Sequence, residues 1–162
     1  VVGIGKIEDI FVKSGISHAI HTGSNKEGLE LTLKAVDNSL PLENIKIAES
    51  KEPPACELIF TNLVDTDMLY GHRNNWQGYG AAIEEIDAYL PQIMDKMTED
   101  DILFITADHG CDPTVPGTDH TREQVPLLVY SKNQDFNKKP KNLGLIPTFA
   151  YIAGEVKNWL GM

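Results

Sequence analysis

The sequence predicts an α/β fold with a mostly parallel sheet and helices on both of its faces. Short apolar runs of strand length alternate along the chain with segments whose apolar residues recur every three or four positions. This alternation is typical of parallel strands joined by crossover helices. Of the 162 residues, 41% are hydrophobic and 23% are charged, which suits one domain with a sizeable core.

The first part of the chain alternates between strand and helix. The predicted strands there are residues 1–4, 18–21 and 58–64, and the predicted helices are residues 7–13 and 25–36. The third of these strands is apolar nearly throughout, as expected when both faces of a sheet are covered. The Thr22-Gly23-Ser24 stretch before the second helix could hold a nucleophile, but a helix N-cap explains it better. The polar segment 37–55 carries three prolines and is predicted to be a long loop.

The second part of the chain continues the alternation with a long helix, two strands and a closing helix. Residues 77–97 carry an apolar stripe at helical spacing, and Pro91 inside it should kink the helix by removing a backbone donor. Residues 102–107 and 125–130 are predicted to be strands, and residues 148–160 are predicted to be the closing helix.

Charge and cysteine usage exclude several classes of protein. The net charge of −10 and the pI of about 4.8 leave no basic surplus for a nucleic acid backbone. Two cysteines cannot make a disulfide framework, so nothing indicates secretion. No apolar run approaches the roughly 20 residues that a membrane-spanning helix needs. Neither nucleic acid nor membrane is therefore expected as a partner.

Acidic and histidine side chains concentrate in the loops at the ends of the strong strands, where ligands of open α/β sheets bind. The candidates are Asp67, His72, Asp108, His109 and His120. Mixed carboxylate and imidazole ligands suit Mn²⁺, Zn²⁺ or iron better than Ca²⁺ or Cu⁺. Five ligands are too many for one catalytic ion with an open position and too few for two complete sites. The pattern therefore indicates a two-metal centre that lacks some of its ligands.

Convergence of these side chains requires irregular turns. Asp67 and His72 are five residues apart, a spacing that does not suit one face of a regular helix. Gly71 and Gly110 give the chain freedom to turn, and the prolines after Gly110 allow it to double back. Each histidine taken alone is also explained as a hydrogen-bonded loop residue.

Other chemistry-bearing residues have simpler interpretations. His18 and His21 flank a short predicted strand and have no acidic neighbours, so packing is expected for both. Cys111 lies beside the candidate ligands and is interpreted as a small loop residue rather than a reactive thiol. The Gly3-Ile4-Gly5-Lys6 stretch completes neither of the common phosphate-loop patterns.

Three stretches of the sequence carry a resemblance to a known family. They are Val-Asp-Thr-Asp-Met-Leu-Tyr-Gly-His-Arg at 64–73, Ile-Thr-Ala-Asp-His-Gly at 105–110 and Pro-Gly-Thr-Asp-His-Thr-Arg-Glu at 116–123. These stretches closely resemble the phosphopentomutases, which belong to the alkaline phosphatase superfamily of metal-dependent phosphotransferases. The resemblance spans essentially the whole chain and implies an alkaline-phosphatase-like core.

The resemblance implies an isomerase that interconverts the 1-phosphate and 5-phosphate of ribose or deoxyribose through a phosphorylated threonine. It also implies two divalent metal ions, usually Mn²⁺, in a cytoplasmic enzyme of nucleotide salvage. Asp108 and His109 match ligands of one ion, and Asp67, His72 and His120 match ligands of the other. Arg122 matches a position that either holds a phosphate of the substrate or pairs with Glu123 at the surface, and both readings stay open.

The chain also departs from the family pattern. Residues 1–162 are interpreted as the C-terminal portion of a metal-dependent phosphomutase core domain, without the N-terminal segment and the cap domain. No residue matches the nucleophilic threonine, so this chain alone is expected to bind metal weakly at best and not to catalyse the mutase reaction. Two other interpretations stay open. One is another metal-dependent phosphatase or sugar-phosphate mutase of the superfamily, and the other is a non-catalytic binding or assembly domain with a vestigial metal site.

Overall fold

The computed structural model describes residues 1–40, 58–138 and 141–162. The chain divides into two compact units, of which the first consists of residues 1–96 and 109–124 and the second of residues 97–108 and 125–162. Each unit contains both strands and helices, so the predicted α/β class is confirmed. Most of the loop predicted at 37–55 lies outside the described residues.

A three-stranded parallel sheet forms the centre of the first unit. Its strands are β1 (Val2–Ile4), β2 (His18–Ile20) and β3 (Ile59–Thr61), in the order β2-β1-β3. Val2 is in register with His18 on one side and with Ile59 on the other. All of β1 is buried, as expected for a strand that has a neighbour on both sides. The predicted parallel pairing is confirmed for these strands.

Helix α2 (Asn25–Val36) has the predicted bounds and supplies part of the core. Its buried Leu31 and Ala35 join a cluster with Val2, Ile4, Ile20 and Leu40. Ser24 is the N-cap, because its Oγ accepts a hydrogen bond of 3.2 Å from the backbone N–H of Glu27. The Glu27 carboxylate in turn accepts one of 2.7 Å from the N–H of Gly23, so the two hydrogen bonds connect the first turn of the helix to the residues before it.

Helix α1 and strand β3 are each at least three residues shorter than predicted, and β3 covers only Ile59–Thr61. Helix α1 covers Ile7–Ile10 and ends before Val12 and Lys13, whose φ angles of 51° and 63° are left-handed and incompatible with a helix. Strand β3 was expected to be covered on both faces, yet Phe60 is 41% exposed. The ring of Phe60 lies 5.6 Å from that of Phe11, which is itself 45% exposed, so this face of the strand is only partly covered in the described chain.

Helix α3 (Trp76–Lys96) lies within one residue of its predicted bounds and packs against α2. An ion pair of 3.2 Å between Lys96 and Asp37 joins the ends of the two helices. The helix continues through Pro91, and the predicted kink there stays a prediction. Although α3 has 21 residues, no helix in the described part of the chain is long and apolar enough to cross a membrane.

The second unit contains an antiparallel pair of strands and two helices. They are β4 (Ile102–Thr106), β5 (Leu127–Ser131), α4 (Gln134–Asn137) and α5 (Ala150–Trp159). Ile102 pairs with Ser131, whose buried hydroxyl donates a hydrogen bond of 2.7 Å to the carbonyl of Asp101. The mostly parallel sheet predicted from the sequence does not extend to this pair. Parallel strands need a crossover connection, usually a helix, and none lies between β4 and β5 in the described chain.

Candidate metal centre

An irregular turn after β3 positions the first two predicted ligands. Residues Thr66–Tyr70 form a π-helical turn, and Gly71–Arg73 form a 3₁₀ turn directly after it. The N–H of Gly71 donates to the carbonyls of both Asp67 and Thr66, four and five residues earlier, and the five-residue bond makes this turn wider than an α-helical one. The spacing of five between Asp67 and His72, which does not suit an α-helix, therefore suits this turn. Such π-turns are frequent at functional sites.

A tight return of the chain positions the next two predicted ligands. Gly110 and Thr121 form an isolated antiparallel bridge, with a hydrogen bond of 3.0 Å from the Thr121 N–H to the Gly110 carbonyl. This bridge stacks the rings of His109 and His120, whose centroids are 3.6 Å apart. The predicted doubling back of the chain is confirmed. Gly110 is required, because a Cβ there would lie 2.8 Å from the Thr121 carbonyl oxygen.

The two loops meet at one oxygen atom. The Nε2 atom of His72 lies 3.2 Å from Oδ1 of Asp67, and Nε2 of His120 lies 3.3 Å from the same oxygen. Donor atoms of Asp67, His109 and His120 all lie within 4.8 Å of one another. Atoms that share one ion at about 2.0–2.2 Å lie about 3.0–3.5 Å apart, so the first two distances have the values expected of co-ligands.

The contacts of His72 and Asp67 fit a cation between their facing atoms. The Nδ1 atom of His72 contacts the backbone carbonyl of Thr118, which only accepts hydrogen bonds, so Nδ1 carries the hydrogen. Nε2 of the same ring faces Oδ1 of Asp67, which is an acceptor. This oxygen is buried and has no hydrogen-bond partner among the described residues. Either a proton on Nε2 or a cation between the two atoms would satisfy this oxygen, and the carboxylate and imidazole donors fit a metal ion.

The surroundings of Asp67 are half-buried and rich in acidic groups. Burial raises the pKa of the Cys111 thiol, and the neighbouring Asp67 carboxylate raises it further. Burial also raises the pKa of Tyr79, with Cys111 and Asp67 adding to the shift. Cys111 therefore stays a neutral thiol at pH 7, which agrees with its interpretation as a loop residue that is not reactive. In the same loop, hydrogen bonds from the hydroxyl and N–H of Thr114 lower the pKa of Asp112.

The structure brings four of the five predicted ligands together and leaves the fifth undetermined. Asp67, His72, His109 and His120 all belong to the first unit. Asp108 belongs to the second unit, so its place in the site stays a prediction. The predicted phosphate contact of Arg122, an exposed residue, likewise stays a prediction.

One polar contact was missed by sequence reasoning. His21 was expected to have no acidic neighbours, yet its Nε2 lies 3.1 Å from the carboxylate of Glu8 and its Nδ1 lies 3.9 Å from that of Asp9. The expectation was wrong because it considered neighbours along the chain, whereas α1 lies in the connection from β1 to β2, at whose end His21 lies. Glu8 is only 7% exposed, so His21 satisfies a buried carboxylate.

We expect His21→Ala to lower the free energy of unfolding by about 1–3 kcal/mol, because it leaves the Glu8 carboxylate buried without its partner. Asp9→Asn is the matched control, since Asp9 is exposed and farther from the ring, and its effect should stay within about 0.5 kcal/mol. Urea unfolding followed by circular dichroism measures both. Equal losses of unfolding free energy in the two variants would show that the contact between His21 and Glu8 stabilises the fold no more than the contact with Asp9 does.

Comparison with known proteins also indicates a family of metal-dependent enzymes. The model of the Metalloenzyme superfamily matches residues 15–162. The phosphopentomutase of Caldanaerobacter subterraneus subsp. tengcongensis is 51% identical over 156 residues, which are 96% of this chain and 35% of that protein. The phosphopentomutase of Carboxydothermus hydrogenoformans is 46% identical over 162 residues, covering 100% of this chain and 37% of that protein. The chain thus spans little more than a third of the length of these relatives.

Proposed function

The chain belongs to the Metalloenzyme superfamily, and on this premise we propose that it is the C-terminal core portion of a phosphopentomutase. The proposed reaction interconverts ribose or deoxyribose 1-phosphate and 5-phosphate, in a cytoplasmic enzyme of nucleotide salvage. Two similar proteins that bear this name, at 51% and 46% identity over nearly all of the chain, support the reaction class.

The convergence of two imidazole nitrogens on Oδ1 of Asp67 is the observation that carries the proposal. The distances of 3.2 Å and 3.3 Å suit co-ligands of one ion as well as ion pairs, and together with the unsatisfied buried oxygen they support this proposal. Asp67, His72 and His120 hold the first metal ion in this proposal. The side chains of Asp67, His72 and His120 are 31%, 35% and 48% exposed, so the site lies close to the surface even though Oδ1 of Asp67 is itself buried.

The second metal ion is assigned to Asp108 and His109. The stacking of His109 on His120 supports a shared centre, because it places a ligand of each proposed ion in direct ring contact. The remaining ligands of this ion and the nucleophilic threonine are proposed to come from parts of the longer protein that this chain does not match.

The metal ions supply a clamp on the transferring phosphoryl group and offset the charge on its oxygens when they are bound. The residues of this chain orient that clamp. The carboxylate of Asp67 and the imidazoles of His72 and His120 would hold the first ion. Arg122 is proposed to bind a phosphate of the substrate through its guanidinium group, which matches phosphate geometry. Carboxylate and imidazole donors without a thiolate suit Mn²⁺, Zn²⁺ or iron, and the proposal takes Mn²⁺ from the resemblance to the phosphopentomutases.

The 162-residue chain alone is expected to show no conversion of ribose 1-phosphate above the level of its own His120→Ala variant. The reason is that the nucleophilic threonine is proposed to lie in another segment of the longer protein. A protein of the relatives' length that contains this chain is expected to be active with Mn²⁺ and inactive in EDTA. In that protein, His120→Ala should lower kcat/KM by about a thousandfold, which corresponds to the several kcal/mol that a catalytic metal supplies.

The assay should follow ribose 5-phosphate and inorganic phosphate together, in the presence of a catalytic amount of a sugar bisphosphate. Ribose 5-phosphate without phosphate release supports the mutase. Phosphate release alone would instead favour a phosphatase of the same superfamily. Mutase activity in the isolated 162-residue chain, lost in His120→Ala, would contradict the assignment of the nucleophile to another segment.

A further inference from the structure

A single asparagine connects the turn that carries His72 to the loop that faces it. Asn74 follows the 3₁₀ turn directly, and its side-chain amide donates a hydrogen bond of 2.8 Å to the carbonyl of Val115. A second, longer contact of 3.4 Å joins the same nitrogen to the carbonyl of Pro113. The two acceptors belong to residues 113–118, the segment that ends at the Thr118 carbonyl.

The backbone of Asn74 is adapted to this contact. Its φ and ψ angles of 50° and 31° lie in the left-handed region, which asparagine tolerates better than most residues other than glycine. Its N–H donates to the carbonyl of Gly71 at 3.2 Å and closes the turn. The side chain is thereby directed away from its own turn and onto the facing loop.

We infer that Asn74 is a positioning residue that holds the Thr118 carbonyl against Nδ1 of His72 and so keeps Nε2 available for the cation. The contact with Thr118 determines which ring nitrogen of His72 carries the hydrogen. Two tethers, Asn74 to Val115 and His72 to Thr118, fix the loop against the turn at points three residues apart on the loop. Without the first tether, the loop carbonyl is free to leave the ring.

The inference depends on the proposed metal centre only for its predicted effect on the affinity for Mn²⁺. Loss of an outer partner of a ligating histidine typically costs about 10–100-fold in metal affinity. Because Asn74 acts through a loop rather than by direct contact, we expect the lower end, a decrease of about tenfold in the affinity for Mn²⁺. The tautomer of His72 is a separate consequence that needs no metal ion.

Asn74→Gly is the decisive variant, because glycine adopts the same left-handed backbone without strain and removes only the amide. Thr114→Ala is the matched control: it lies in the same loop but bonds only to Asp112 among the described contacts. Long-range ¹⁵N–¹H NMR of the metal-free chain reports the His72 tautomer, and calorimetric titration with Mn²⁺ reports affinity. We expect a mixture of tautomers and about a tenfold weaker affinity in Asn74→Gly alone.

A metal-free Asn74→Gly chain in which His72 keeps the Nδ1–H tautomer fully would overturn the inference. So would an equal change in Thr114→Ala. If Asn74→Gly fails to fold, Asn74→Asp keeps the size and backbone preference of the side chain but turns an acceptor towards the loop carbonyls, and it should disturb the tautomer equally. If a protein of the relatives' length that contains this chain binds no Mn²⁺, the proposed metal centre fails, while the tautomer comparison still decides the role of Asn74.

Discussion

Asp67→Asn is expected to lower the affinity for Mn²⁺ by at least about 100-fold, because a direct ligand should matter no less than its outer partners, which are worth about 10–100-fold. In EDTA, the same variant should keep its free energy of unfolding within about 0.5 kcal/mol or gain stability. The physical reason is that Oδ1 of Asp67 is buried without a hydrogen-bond partner in the described chain, so a carboxylate is not the most stable group there without an ion. Calorimetric titration and urea unfolding measure the two quantities.

The matched control is Asp119→Asn, which removes the same charge from an exposed position next to His120. Its affinity for Mn²⁺ should change by less than about threefold, because charges at the surface act weakly through water. A hundredfold loss in both variants would indicate that overall charge, and not coordination by Asp67, determines binding. Unchanged affinity in Asp67→Asn would remove Asp67 from the site.

Gly110→Ala is expected to separate the two stacked histidines. A Cβ at this position would lie 2.8 Å from the carbonyl oxygen of Thr121 and 2.9 Å from the backbone nitrogen of Glu123. Both are main-chain atoms, so the bridge itself must move. Overpacking of this kind costs about 1–3 kcal/mol of the free energy of unfolding. Because the bridge also places His120 opposite Asp67, we expect the affinity for Mn²⁺ to fall by about tenfold or more.

Gly80→Ala provides the comparison for this experiment. Gly80 lies in α3 with no atom within 4 Å of the position that a Cβ would occupy. Alanine should therefore stabilise the helix by about 0.5–1 kcal/mol and leave metal affinity unchanged. Thermal unfolding together with Mn²⁺ titration distinguishes the two variants. If Gly110→Ala behaves like Gly80→Ala, the bridge does not hold the histidines together.

Regular elements with strong apolar patterning were predictable from the sequence. Helix α2 has the predicted bounds because its start carries an explicit cap at Ser24, and α3 is displaced by one residue only. Strand pairing was less predictable. The antiparallel direction of β4 and β5 depends on the absence of a helix in their connection, a feature that apolar runs alone do not encode.

The residue types of the candidate site were predictable from the sequence, but the turns that bring these residues together were not. The spacing of five between Asp67 and His72 indicated an irregular loop, and the structure provides a π-turn, which apolar periodicity does not indicate. Contacts that depend on chain segments distant in sequence were not foreseen. The pairing of His21 with Glu8 and the tether from Asn74 to Val115 both belong to this class.

Whether a metal ion binds at Oδ1 of Asp67 can be measured directly. Crystals of the 162-residue chain grown with Mn²⁺ and measured on both sides of the manganese absorption edge should show an anomalous peak about 2.0–2.2 Å from Oδ1 of Asp67 and from Nε2 of His72 and His120. The contrary result is a chain saturated with Mn²⁺ in which these three atoms have no anomalous peak between them. Such a crystal would show that the two histidines meet the carboxylate for structural reasons alone.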